Sequence, residues 1–309
     1  MNNNKNLKKE NNERIFINKE LIHFSFDQHN EPVAYAKNGD TVQFCCQDCY
    51  CNQVHQDGYE FKKMDMSRNN PATGPLFIKD ANPGDILRVE IVSIDIHDSG
   101  SMCARTGAGI YDIEGNHCRK FKIEDGMILF DQDIKVPIRP MVGVIGTAPK
   151  GEGISTQIPG EHGGNLDIKD LCEGTTLYLP VNVDGALLSI GDIHAVQGDG
   201  ETVICAMEVS GDVIVKLDVL KEEKKVPTPF IVTKEKYITV ASDESLDICS
   251  KMAAQKMHEF LQNHSALSDI QSGLLLSISG NLRISQVVNP KKSCVMDFPI
   301  GLANEMFNI

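Results

Sequence analysis

Through its first 220 residues the chain contains no stretch in which apolar residues recur at helical spacing. Glycine, proline, asparagine and aspartate cut it instead into short segments whose apolar residues alternate with polar ones. That alternation marks strands with one buried face. The clearest case is Ile86-Leu87-Arg88-Val89-Glu90-Ile91-Val92-Ser93-Ile94-Asp95-Ile96. Residues 21–26, 33–36, 41–45 and 213–220 read the same way, and Asn38-Gly39-Asp40 is a hairpin signal. Residues 97–138 look less regular, and residues 176–190 form one apolar, strand-like run. Many short strands joined by turn residues predict a mainly β body, a β-sandwich or barrel-like fold, and not alternating βαβ units.

The character changes after the charged connector Lys221-Glu222-Glu223-Lys224-Lys225. Ser242-Asp243-Glu244 reads as a helix N-cap with an acidic first turn. Leu246, Cys249, Ala253, Met257, Phe260 and Leu261 then follow at helical spacing to about Gln262. Residues 269–277 predict a second helix, stopped at Gly280-Asn281. The expected organisation is a polar, disordered leader over 1–14, a β-rich catalytic body over 15–220, and a smaller C-terminal α+β portion over 221–309.

Charge and composition remove several functions. The formal net charge of −13 opposes binding to nucleic acid or to anionic membrane surfaces. No apolar run approaches the roughly 20 residues that span a bilayer. The leader lacks the apolar core of a secretory signal. The ten cysteines of this 309-residue chain therefore read as reduced thiols, which places the protein in the cytoplasm.

Residues 139–208 carry the chemistry. Two glycine-rich clusters, 159–167 and 191–201, each set a histidine among carboxylates, on backbone that lets a ligand approach closely. In Asp192-Ile193-His194 an extended chain puts both side chains on one face. His162 and Asp167 add nitrogen and oxygen donors suited to zinc. Glu201 ends Gly198-Asp199-Gly200-Glu201 as a candidate proton shuttle. The plainer reading makes Asp192 a turn residue, His162 a loop cap and Glu201 a solvated carboxylate. Asp48 and Cys49 are candidates to hold or attack a substrate. Cys45-x3-Cys49-x-Cys51 lacks a second cysteine pair and reads as small buried thiols, not as a zinc site.

Taken together, the ordered blocks resemble the acetamidase/formamidase family of amide hydrolases. The blocks are Asp48-Cys49-Tyr50-Cys51-Asn52-Gln53-Val54, Asn70-Pro71-Ala72-Thr73-Gly74-Pro75, Asn82-Pro83-Gly84-Asp85 and Arg139-Pro140-Met141-Val142-Gly143-Val144-Ile145-Gly146. They continue with Pro159-Gly160-Glu161-His162-Gly163-Gly164-Asn165-Leu166-Asp167, Gly185-Ala186-Leu187-Leu188, Gly191-Asp192-Ile193-His194 and Gln197-Gly198-Asp199-Gly200-Glu201. Only Cys49 of the cysteine run fits the family pattern. The resemblance implies hydrolysis of a small amide, of formamide or acetamide size, to carboxylate and ammonia. It also implies a mainly β fold with a small C-terminal α/β portion, a cytoplasmic location and a homo-oligomer. The combined expectation is a divalent metal, zinc first, held by Asp192, His194 and His162. Glu201 and Asp48 are the catalytic residues, and Asn165, Asp167 and Cys49 bind substrate. Two other readings stay open: Cys49-dependent hydrolysis, and a non-catalytic small-molecule binding protein on the same fold.

Overall fold

The computed structural model describes residues 14–221 and 226–302. The expected leader up to residue 13 and residues 222–225 of the charged connector lie outside the described residues. Two large sheets dominate. The first has nine strands, in the order Ile15–Ile17, Thr41–Cys46, Gly211–Leu220, Ile86–Ile96, Thr176–Pro180, Phe230–Val232, Lys236–Asp243, Lys292–Pro299, Asn281–Gln286. The second is centred on Leu188–His194, which lies between Met141–Gly146 and Ala72–Ile78 and also pairs with Glu208–Val209. Glu208–Val209 leads on to Ser99–Arg105 and then Asn116–Glu124. One apolar core joins the inner faces of both sheets. It contains Val42, Val89 and Val213 from the first and Leu76, Val142 and Ile190 from the second. The body is thus mainly β and sandwich-like, as the alternation predicts.

Two sequence expectations need correcting. The run 176–190 is not one strand. Thr176–Pro180 belongs to the first sheet and Leu188–His194 to the second. The crossing between them uses left-handed backbone at Gly185, Ala186 and Leu187 (φ 74°, 59° and 55°). Apolar continuity hid the break because both flanking strands are buried. Residues 97–138 are more regular than expected, because Ser99–Arg105 and Asn116–Glu124 form a full antiparallel ladder. Charged residues on the outer face, such as Lys120 and Lys122, obscure its alternation.

The helices fall where expected. The first, α1 (Leu246–His264), buries Cys249, Ala253, Met257, Phe260 and Leu261 in a second core with Phe230 and Phe298. Its cap is Ser245, which accepts from the Ile248 N–H, because Ser242 and Asp243 still belong to the strand before it. The second, α2 (Asp269–Ser279), opens with a Ser268/Gln271 capping box. The first sheet runs on into the C-terminal part, where Leu177 pairs with Ile231.

All seven residues of Leu188–His194 are buried. The strand carries Asp192 and His194, and its close approach to Ala72–Ile78 depends on Gly191. A Cβ there would stand 2.2 Å from the Pro71 carbonyl oxygen and 3.1 Å from the Ala72 Cα. Both obstacles are backbone and cannot swing aside. Gly191→Ala is expected to destabilise the fold by about 1–3 kcal/mol. Urea unfolding checks it, as a lowered midpoint at unchanged slope.

Candidate active site

Five ionisable side chains converge where Leu188–His194 leaves the second sheet. His194 and Glu208 are direct cross-strand partners. His194 Nε2 stands 3.2 Å from Glu208 Oε2, 3.3 Å from Asp192 Oδ1 and 4.0 Å from Asp167 Oδ1. Ligand atoms of Asp167, His194 and Glu201 lie within 4.8 Å of one another, as do those of Cys49, Asp192 and Glu208. All six residues are buried. Asp167, Asp192 and Glu201 adopt left-handed backbone (φ 48°, 54° and 46°), an uncommon conformation for residues with a Cβ. A Cβ on Gly143 would stand 2.6 Å from Asp167 Oδ1 and 3.0 Å from Asp192 Oδ2, so that glycine makes room for both carboxylates.

A polar frame fixes the cluster. His194 donates its Nδ1–H to Gln197 Oε1 at 2.9 Å, which turns Nε2 toward the carboxylates. Gln197 in turn donates to the Asp167 carbonyl at 2.8 Å. Asn289 donates to Asp167 Oδ2 at 2.6 Å. With its amide nitrogen toward the acids, Asn165 donates to Asp192 Oδ2 at 3.0 Å and to Asp167 Oδ2 at 3.2 Å, and its oxygen accepts from Asn70. After this frame is formed, five buried atoms still lack a hydrogen-bond partner: His194 Nε2, Asp167 Oδ1, Asp192 Oδ1, Glu201 Oε2 and Glu208 Oε2.

The electrostatics follow from burial and crowding. Burial, then Asp192, raises the Asp167 carboxyl to about 6. Burial, then Glu208, raises Asp192 to about 6. Burial, then Asp167, lifts Glu201 well above the usual range. Burial alone would lower His194, but the Glu208 and Asp192 carboxylates outweigh it and hold the imidazole well above its ordinary value. A proton and a cation therefore compete for the same Nε2 lone pair.

The cluster opens into a cavity of about 310 Å³ whose lining includes Cys49, Asn165, Asp167, Asp192, Glu201 and Glu208. Of the residues expected from sequence, the fold therefore brings together Cys49, Asn165, Asp167, Asp192, His194 and Glu201. Asp48 sits behind the wall. Its Oδ1 accepts the Tyr50 and Asn52 N–H groups at 3.0 and 2.6 Å, which shapes the turn that presents Cys49. His162 is not brought to the cluster. It packs edge-on against Phe26 and lines a different pocket, with Lys291. Cys49 is a buried thiol pushed well above its usual range, by burial first and by Glu208 next, which disfavours the thiolate a nucleophile needs. Cys45, Cys46 and Cys51 join no ligand cluster among the described residues.

Sequence reasoning missed Glu208, Gln197, Asn70 and Asn289. Glu208 had a legible signal, a lone acid after Cys205-Ala206-Met207 on a strand end. Gln197 lay inside a recognised block but was given no role. Asn289 comes from the C-terminal part, and only the fold brings it near.

Comparison with known proteins gives concordant findings. The Acetamidase/Formamidase family profile matches residues 8–154 and 150–305. The crystal structure of an acetamidase from Bacillus halodurans superposes with a TM-score of 0.93 at 41% identity, covering 95% of this chain and 100% of that one. A formamidase of Methylophilus methylotrophus is 27% identical over 254 residues, 62% of each chain. An acetamidase of Mycolicibacterium smegmatis is 26% identical over 257 residues, 61% of this chain and 63% of its own. The chain thus spans about three fifths of the length of the curated relatives it matches.

His162 and His23 flank Phe26 with edge contacts of 5.2 and 5.9 Å. Burial lowers both imidazoles to about 4. The unfolded chain binds these protons near pH 6.5, and the folded chain only near 4. Their contribution to stability is therefore complete above pH 6.5 and is lost as pH falls toward 4. Histidine NMR titration is expected to show both rings neutral at pH 5, with midpoints near 4.

Proposed function

The chain belongs to the acetamidase/formamidase family, and from that premise we propose that it hydrolyses short linear amides to a carboxylate and ammonia. The observation that carries this reading is the set of unpartnered buried atoms at the cavity floor. A tetrahedral ion with nitrogen and oxygen ligands at zinc distances requires ligand–ligand edges of about 3.4 Å. The separations of His194 Nε2 from Asp192 Oδ1 and Glu208 Oε2 are 3.3 and 3.2 Å. One imidazole and two carboxylates are donors that suit zinc. His194, Asp192 and Glu208 would hold the ion, in place of the set that includes His162. When bound, such an ion polarises a carbonyl and brings the pKa of water toward neutrality.

The side chains around it do the rest. Gln197 holds the tautomer and ring angle of His194. Glu201, as a carboxylate beside the ion, takes the proton of the attacking water and returns it to the departing nitrogen. Asp167, tied to Asn289 and Asn165, orients Glu201 and raises its proton affinity. Asn165 and Asn70 line the floor where the amide group docks. Asp48 acts through the Cys49 turn, and Cys49 contributes a wall.

The same proposal extends to the setting. The ten cysteines are free, which suits a reducing compartment and supports a cytoplasmic enzyme. No described helix is long and apolar enough to cross a membrane. Ile270, Leu274 and Ile278 on one face of α2 are 72%, 64% and 84% exposed, which supports assembly with further copies of the chain.

Ammonia release from formamide and acetamide tests the reading. Glu201→Gln is expected to lower kcat by about 100-fold or more while the metal content of the protein is unchanged. His194→Ala is expected to lose the metal, measured by elemental analysis, together with activity. Cys49→Ser is expected to keep kcat within a few-fold. Full activity of metal-free protein ends the metal assignment.

A further inference from the structure

The cavity is larger than formamide or acetamide requires. Its volume of about 310 Å³ falls in the range that holds ligands of many heavy atoms. Strand Ser99–Arg105 forms one wall. Ser101 pairs with Glu208 at the floor, and the period of two places Ser101, Cys103 and Arg105 on one face. Cys103 and Arg105 both line the cavity. At the usual rise per residue, the Arg105 Cα lies about 13 Å along the strand from the Ser101–Glu208 pair. The wall thus leads from the acid cluster to a guanidinium.

That guanidinium is held but not neutralised. Its Cζ lies over the Phe61 ring, 5.7 Å from the centroid. Arg88, Arg119 and Arg283 each pair with a carboxylate; Arg105, like Arg14, Arg68 and Arg139, does not among the described residues, and of these four only Arg105 lines this cavity. The cavity is therefore polarised, with acids at one end and an unpaired cation at the other. The lining also includes Tyr50, Met66 and Ile204.

We propose that Arg105 sets substrate specificity, and that the preferred substrates are monoamides of short dicarboxylic acids. The remote carboxylate binds the guanidinium fork, and the short methylene chain lies against the apolar wall. With the remote carboxylate held at Arg105, the amide end is the one left to reach the floor. There water adds to the amide carbon, the C–N bond breaks, the nitrogen leaves with a proton as ammonia, and a dicarboxylate remains. This inference rests on the amide-hydrolase reading.

The test measures kcat/KM of the full-length enzyme for succinamate and glutaramate against butyramide and valeramide, with formamide as reference. At least a tenfold preference for the carboxylated amides is expected. Arg105→Met is expected to bring the ratio of carboxylated to uncharged amides close to one, chiefly through KM, and Arg105→Lys to restore part of it. Uncharged amides hydrolysed equally well, or a preference that survives Arg105→Met, overturns the specificity assignment alone. Absence of ammonia from every amide, formamide included, overturns the hydrolase reading and this assignment with it.

Discussion

Burial of Asp167, Asp192, Glu201 and Glu208 around a single imidazole is the constraint on which the rest of the structure depends. Carboxylates taken out of water in each other's company are strongly disfavoured as anions. Something positive must accompany them, either protons or a metal ion. In the structure one oxygen of each carboxylate and the His194 Nε2 carry no hydrogen bond. A divalent ion would satisfy both the charge and the unused lone pairs, as the proposed amide chemistry requires.

The scaffold holds this arrangement against its own repulsion. Asp192 and His194 ride on a wholly buried strand, and Glu208 faces His194 from the next one. Asp167 and Glu201 come from loops that a second charged network restrains. Arg283, on the C-terminal strand Asn281–Gln286, donates to Asp170 at 2.6 Å and to Asp297 at 3.0 Å. Lys169 binds Asp199 at 2.7 Å. The C-terminal part therefore braces the loops that carry Asp167 and Glu201 and also lends Asn289 to the cluster. Three acids in left-handed backbone show where local strain is accepted, as is common at functional sites.

Much of this was legible in the sequence. Alternation located the long strands, and helical spacing located α1 and α2, because both signals are local. The glycine-bordered blocks named Asp192, His194, Asp167 and Glu201, because such backbone is needed wherever side chains and backbone crowd one ion-sized space. That Glu208, and not His162, faces His194 was not legible. Both lie near glycine-rich or strand-end segments, and only strand pairing decides which one faces His194. The break in residues 176–190 was hidden for a related reason, since two buried strands in different sheets read as one apolar run. Arg105 carried no signal at all, because its importance lies in what the fold leaves unpaired.

The central claim is that the buried acids and His194 form a cation site that serves amide hydrolysis. Anomalous diffraction from crystals of the active enzyme, recorded at the zinc edge, tests it most directly. The account predicts a strong peak bonded to His194 Nε2 and to one oxygen each of Asp192 and Glu208, with Glu201 facing it across the cavity. A fully active crystal with no anomalous peak at this cluster, or with its only peak beside His162, would contradict it.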